Sequence, residues 1–205
     1  MRGFHQELAH HAVHNLPGSV LWCDGDHGMN PYDFAELNLE RGFDAEWGAD
    51  RLLVKRCMTP FQWDTVLTKH LDQKLLTTET SLVLAAPFDA LFSTDELKDW
   101  EQEHYVEFSL KHLRDLARKH KVPVCLSVDM VRWWKTHPFL AKMTYDAVDA
   151  RWSVQRSGDG WRAVDGKLER TIEPLARRQV TIWDYATPSS PKPAQPKLLN
   201  STVVQ

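Results

Sequence analysis

The sequence predicts an α/β fold: a mostly parallel sheet flanked by helices, with antiparallel strands added near the C-terminus. Two patterns predict it. Four continuous apolar runs, SVLWCD (19–24), RLLVKRC (51–57), SLVLAA (81–86) and VPVCLSV (122–128), alternate with amphipathic segments, as strands buried on both faces do when helices carry the crossovers. After residue 150 the period shortens to alternating polar and apolar residues around a Ser157-Gly158-Asp159-Gly160 hairpin turn.

Taken in order, Phe4, Leu8, Ala12 and Leu16 recur at helical spacing until Pro17-Gly18 ends the segment. The run 19–24 is β-branched and aromatic and stops at Asp24-Gly25. Asn30 and Pro31 mark a helix start over 31–39, an N-cap followed by proline at the first helical position. A strand over 51–57 precedes a helix over 60–71, and the strand 81–86 precedes a long helix from about Thr94 to His120, with Glu96 and Leu97 completing a capped start. After the strand 122–128 come short strands over 150–156, 160–164 and 179–185, expected at one edge of the parallel sheet. One domain, 1–186, is expected, and TPSSPKPAQPKLLNSTVVQ over 187–205 reads as a disordered Pro/Ser-rich tail.

The 205 residues suffice for one well-buried core and not for two. No apolar run spans a bilayer and the start has no secretory signal, so a soluble intracellular protein is expected, in the cytoplasm or nucleoid, or in the nucleus of a eukaryote. Cys23, Cys57 and Cys125 lack CxxC spacing, which points to reduced thiols rather than a disulfide framework. The net charge of −3 is uneven: residues 1–130 hold 13 Lys/Arg against 21 Asp/Glu, whereas 131–180 hold 10 against 6. A basic C-terminal third can face a polyanion or be an ordinary solvated surface.

With its residues in place, this succession resembles the RecA/RadA recombinase superfamily, above all archaeal RadA and the eukaryotic recombinases and their paralogues. The resemblance runs from about residue 5 to 185. It rests on VLWCDGDHGMNPYDF, RLLVKRCMTPFQWDTVL, SLVLAAPFDALF, EQEHYVEFSLKHLRDLARKHKV, VPVCLSVDMV and ARWSVQRSGDG in that order. It implies a RecA-like sheet of the P-loop NTPase type, and its departures imply a core without the hydrolytic site. The helix that would follow the P-loop begins almost at Met1, so the resemblance implies a core lacking Walker A. Ala86 matches the Walker B aspartate, with Pro87 next to it and Asp89 displaced into the following loop. Val128 and Asp129 match the Asn-Gln pair that senses the γ-phosphate, and Asp26 matches the catalytic glutamate. The implied protein is a degenerate paralogue, a pseudo-ATPase with no catalytic residues, no bound ATP or magnesium and no metal. It would support homologous recombination and DNA repair through a RecA/RadA-like partner subunit or a homo-oligomer, and through single-stranded DNA.

The expected DNA contacts are Arg132, Trp133, Trp134 and Lys135, with His137 beside them, because rings flanked by cations stack on unpaired bases. The competing role for the two rings is packing under a short loop or against a partner. His10 and His14, near His11, share a helix face as zinc ligands can, and His27, Asp24 or Asp26 would have to complete the set. Without an HExxH glutamate, a solvated or capping role is the expectation. Of the nine tryptophans, Trp22, Trp152 and Trp183 are assigned to the core, and Trp47, Trp63 and Trp100 to core or interface. The cations of LERTIEPLARRQ read as surface residues, with Arg177 and Arg178 able to extend a basic face. Two other function classes remain open. One is an active ATPase or a metal-dependent hydrolase using Asp24, Asp26, His27 and Asp129. The other is a KaiC-like regulatory interaction protein with no DNA role.

Overall fold

A computed structural model describes residues 4–93, 96–157, 160–165 and 168–172. The expected strand over 179–185, Trp183, Arg177, Arg178, Thr94, the centre of the SGDG turn and the tail 187–205 lie outside the described residues. Helix α1 (Phe4–Asn15) leads into β1 (Ser19–Asp24), and α2 (Pro31–Glu40) into β2 (Leu52–Arg56). A continuous rod follows: α3 (Pro60–Thr65), a π-helical turn (Val66–Leu71) and α4 (Asp72–Thr77). Then come β3 (Thr80–Ala86), α5 (Asp99–His120), β4 (Val124–Leu126), α6 (Met130–Thr136) and α7 (Pro138–Ala147).

The four strands form one sheet in the order β2-β1-β3-β4, every neighbouring pair parallel. Alternation along the strands explains why helices cover both faces. Leu21, Cys23, Val83 and Ala85 join a cluster with Trp63, Leu67 and Leu71 of the rod and Val106, Leu110 and Leu113 of α5. Val20, Trp22, Leu82, Leu84 and Ala86 join Ala9, Ala12 and Val13 of α1 and Phe34 of α2 on the other face. The connection order reverses between β1 and β3, and a doubly wound sheet opens its crevice at the carboxyl ends of such a pair.

Local chemistry accounts for the element ends. Asn30 caps α2, its side-chain oxygen accepting from the Tyr32 backbone N–H at 3.1 Å, with Pro31 at the first position. Thr59 caps α3 by accepting from Gln62 at 3.2 Å. Helix α5 starts at Asp99, later than the expected Thr94, because the Glu101 carboxylate reaches back to the Lys98 backbone N–H at 2.9 Å and closes the first turn there. The rod runs to Thr77, past the expected end at residue 71, since no proline or glycine interrupts it.

The antiparallel strands β5 (Ser153–Ser157), β6 (Gly160–Asp165) and β7 (Leu168–Ile172) form a sheet of their own, not an extension of the parallel sheet. β7 lies in the segment read from sequence as ordinary surface. The second sheet meets α1 where Trp161 packs edge-on against Phe4, with ring centroids 5.3 Å apart. Trp152, expected in the core, is 45% exposed, whereas Trp22 and Trp63 are buried with their indole N–H groups donating to the Ala86 carbonyl at 3.0 Å and to Ser109 Oγ at 2.8 Å. Among the described residues no helix is long and apolar enough to cross a membrane.

Trp133 and Trp134 separate here. Trp133 is fully buried and meets Phe88 edge-on at 6.1 Å, while Trp134 is 46% exposed. Trp133→Ala is therefore expected to cost about 3–5 kcal/mol in urea unfolding, and Trp134→Ala less than about 1 kcal/mol.

Candidate functional site: the carboxyl ends of the strands

The crevice between β1 and β3 gathers Asp24 and Asp26 from the β1–α2 loop, Ala86 and Asp89 after β3, and Ser127 and Asp129 after β4. Asp24 ends β1 with no exposed surface. Its two carboxylate oxygens accept the backbone N–H groups of Gly28 at 3.0 Å and Met29 at 3.1 Å, and Arg56 Nε stands 4.0 Å away. The loop folds back on this carboxylate so tightly that His27 takes the left-handed region at φ 61°, and a Cβ on Gly25 would fall 2.4 Å from the Pro87 carbonyl oxygen. Asp26 also accepts from the Gly28 N–H, at 3.0 Å, and partial burial followed by the neighbouring Asp24 charge raises its pKa.

Across the crevice Ala86 is fully buried, so the end of β3 offers no ligand atom. Asp89 sits in the 3₁₀ turn Asp89–Leu91, nearly fully buried, with Oδ1 accepting the Asp129 backbone N–H at 3.2 Å. Burial raises its pKa against that hydrogen bond. Asp129 caps α6, its side chain accepting the Arg132 N–H at 2.9 Å, so the carboxylate matched to the phosphate sensor serves a helix end.

Two residues that sequence reading passed over complete the cluster. His5, in the first turn of α1, places Nε2 2.5 Å from Ser127 Oγ, and burial lowers its pKa although Asp26, Asp89 and Asp24 pull the other way. Nothing in the local sequence marks the pair, because the two residues are 122 positions apart. The crevice thus carries carboxylates, an imidazole whose neutral form burial favours, and the Arg56 guanidinium beside Asp24. Bound magnesium with a triphosphate needs a free carboxylate at the end of β3, and Ala86 supplies none. His27, named for a hydrolytic alternative, is exposed.

The expected DNA residues lie on α6 rather than in a loop. Arg132, Trp134 and Lys135 are exposed, joined by Val131 at 70% and Phe139 of α7 at 58%. Trp133 is a core residue: its ring belongs to the cluster of Phe88, Leu140 and Ala141 and has no face for a base.

His10 and His14 of α1, expected in a solvated or capping role, belong to a largely buried network. Asn38 of α2 accepts from His10 Nε2 at 2.8 Å and His14 Nε2 at 2.9 Å, and donates to the carbonyls of Ala45 at 2.8 Å and Trp47 at 3.0 Å. Arg41 donates to His10 Nδ1, which fixes a neutral Nε2–H tautomer, and His14 stacks on Trp47 at 4.0 Å. No group of three or more metal-holding side chains occurs among the described residues.

A groove of about 550 Å³ opens beside β2. Leu21, Leu53, Val66 and Leu71 line it, with Lys55, His70 and Lys74 at its exposed mouth. β2 ends the sheet, and among the described residues no strand pairs with its outer edge. The Cys57 N–H donates to the Asp24 carbonyl at 2.9 Å, so alternation turns Lys55 and Leu53 toward β1 and leaves the backbone groups of Val54 and Arg56 facing outward.

No protein-family model matches this chain, and no curated protein matches it.

Burial first, then the Arg41 charge, lowers the His10 pKa to about 2, and burial lowers that of His14 to about 4, both from 6.5. The unfolded chain takes up protons at these imidazoles below pH 6.5 and the folded chain does not, so stability present above that pH is lost as pH falls toward 4. Urea midpoints measured across this window should fall with acidity, and the slope should be shallower in His14→Gln.

Proposed function

We propose that this protein is a non-hydrolysing, RecA/RadA-like paralogue that works by binding, docking on a partner recombinase-like subunit in homologous recombination and DNA repair. The open outer edge of β2 beside its apolar groove carries this reading. An unpaired strand next to a groove is the arrangement that accepts an added strand from another chain: main-chain hydrogen bonds supply affinity and the groove takes alternate side chains. The π turn at Val66–Leu71 supports it, because such turns re-aim side chains and concentrate at functional sites. Lys55, His70 and Lys74 at the mouth, with no carboxylate in the lining, suit an acidic partner segment. The strand-end crevice supports the non-hydrolysing part, since its carboxylates hold backbone N–H groups and repel phosphate.

A second contact, to single-stranded DNA, is assigned to Arg132, Trp134 and Lys135 through stacking and charge. An unaltered mobility of single-stranded DNA at low salt would remove it and favour a regulatory protein without a DNA role.

Calorimetry with magnesium present should show no saturable ATP binding up to about 1 mM, and a micromolar dissociation constant, about 8 kcal/mol, would end the pseudo-ATPase reading. Val54→Pro removes an outward N–H while leaving the β1–β2 ladder intact, a place where an edge strand tolerates proline. The variant should fold, yet lose at least about tenfold in affinity for a RadA-type recombinase of the same cells, measured by sedimentation. Equal binding by both forms would place the partner elsewhere.

A further inference from the structure

A second recess, of about 330 Å³, lies between α3 and the N-terminal half of α5, away from the strand ends and from the β2 groove. Its lining is Asp64 of α3 with Trp100, Glu101, His104, Tyr105 and Phe108 of α5. The α5 residues share a face because they repeat at i, i+4 and i+8 and at i, i+4. Trp100 is 64% exposed, and Phe61, 52% exposed, packs edge-on against Tyr105 with centroids 5.8 Å apart. Aromatic surface on this scale contributes nothing to a core when it stands in water.

The charges settle what kind of guest the recess suits. The lining holds two carboxylates and no Lys or Arg, so it attracts cations, and it includes Trp100, Tyr105 and Phe108, aromatic rings of the kind that attract cations through their faces. Asp64 and Glu101 also offset the positive end of α5, which would otherwise oppose a cation. A primary ammonium brings three donors and a guanidinium five, each needing an acceptor when desolvated. Glu101 Oε2 already accepts the Lys98 backbone N–H at 2.9 Å, which leaves the lining fewer acceptors for such donors. A quaternary ammonium has no donors to satisfy and is weakly hydrated.

We propose that this recess binds a quaternary ammonium group, with Trp100, Tyr105 and Phe108 as its walls and Asp64 as the counter-charge. The group is supplied either by a free small amine or by the trimethylated lysine of a partner.

The test is an NMR titration of the full chain, following the Trp100 indole resonance, with choline and with 3,3-dimethylbutanol, its neutral isostere. Choline should shift the signal saturably and bind at least about tenfold tighter than the alcohol. Trp100→Leu and Asp64→Asn, both checked for an unchanged amide spectrum, should each weaken choline, the former by about tenfold. A trimethyllysine peptide and its unmethylated form make the second arm. Tighter binding of the methylated peptide than of choline assigns the guest to a protein partner, and the reverse assigns it to a free amine. Equal affinity for choline and the alcohol, no saturable shift up to about 50 mM choline, or an unaffected Trp100→Leu variant would overturn the assignment.

Discussion

Two-sided burial of the parallel sheet is the constraint from which the rest of this structure follows. β1 and β3 each send alternate side chains into two separate apolar clusters, so helices cover both faces at the centre of the sheet. A buried strand must also satisfy its polar groups inside the protein. The one large donor between the central strands, the Trp22 indole, does so by bonding the Ala86 carbonyl across the β1–β3 pair at the edge of the crevice. What remains for function is the strand ends, the sheet edge and the outer surfaces of the helices.

At the strand ends each carboxylate of the crevice accepts a backbone N–H. Asp24, at zero exposure, needs hydrogen-bond donors, and the loop supplies two of them by turning back through Gly28 and Met29. Asp89 is met by the Asp129 amide, and Asp129 in turn meets that of Arg132, so carboxylates and backbone form a relay from the end of β3 into α6. The acids of this site thus hold its own loops in place. Ala86, fully buried, leaves the end of β3 without a carboxylate to join them.

The parallel sheet was legible because its signal is long-range and redundant: four apolar runs of the right length, separated by helical periodicity and punctuated by Pro31 and Asn30. Less was legible wherever one residue decided the outcome. Trp133 and Trp134 are adjacent, so on a helix they point about 100° apart and only the axis of α6 decides which is buried. Composition treats them alike. A solvated or capping role is the expectation for His10 and His14 because nothing nearby in sequence announces Asn38, which lies 24 to 28 positions away and meets the Nε2 of both imidazoles. The second sheet was misplaced for a different reason: alternation identifies a strand but says nothing about which strand it pairs with, and Trp161 meets Phe4, at the far end of the chain.

The rod from Pro60 to Thr77 links the two surfaces left open, and its rigidity explains why both are preformed. Trp63 is fully buried and its indole donates to Ser109 Oγ at 2.8 Å, while Ser109 donates to the Tyr105 carbonyl at 2.6 Å. That chain of bonds fixes the spacing of α3 and α5, and with it the separation of Asp64 from Tyr105 and Phe108 across the recess. Farther along, the π turn inserts one extra residue per turn, which rotates the residues after it relative to an uninterrupted α-helix. Leu71 enters the core in that register, whereas His70, Gln73 and Lys74 stand exposed at the groove beside β2. An unbroken helix would present a different set of side chains to the same strand. The geometry of the sheet edge therefore depends on that turn, and the geometry of the recess on one tryptophan, Trp63, just before it in the same rod.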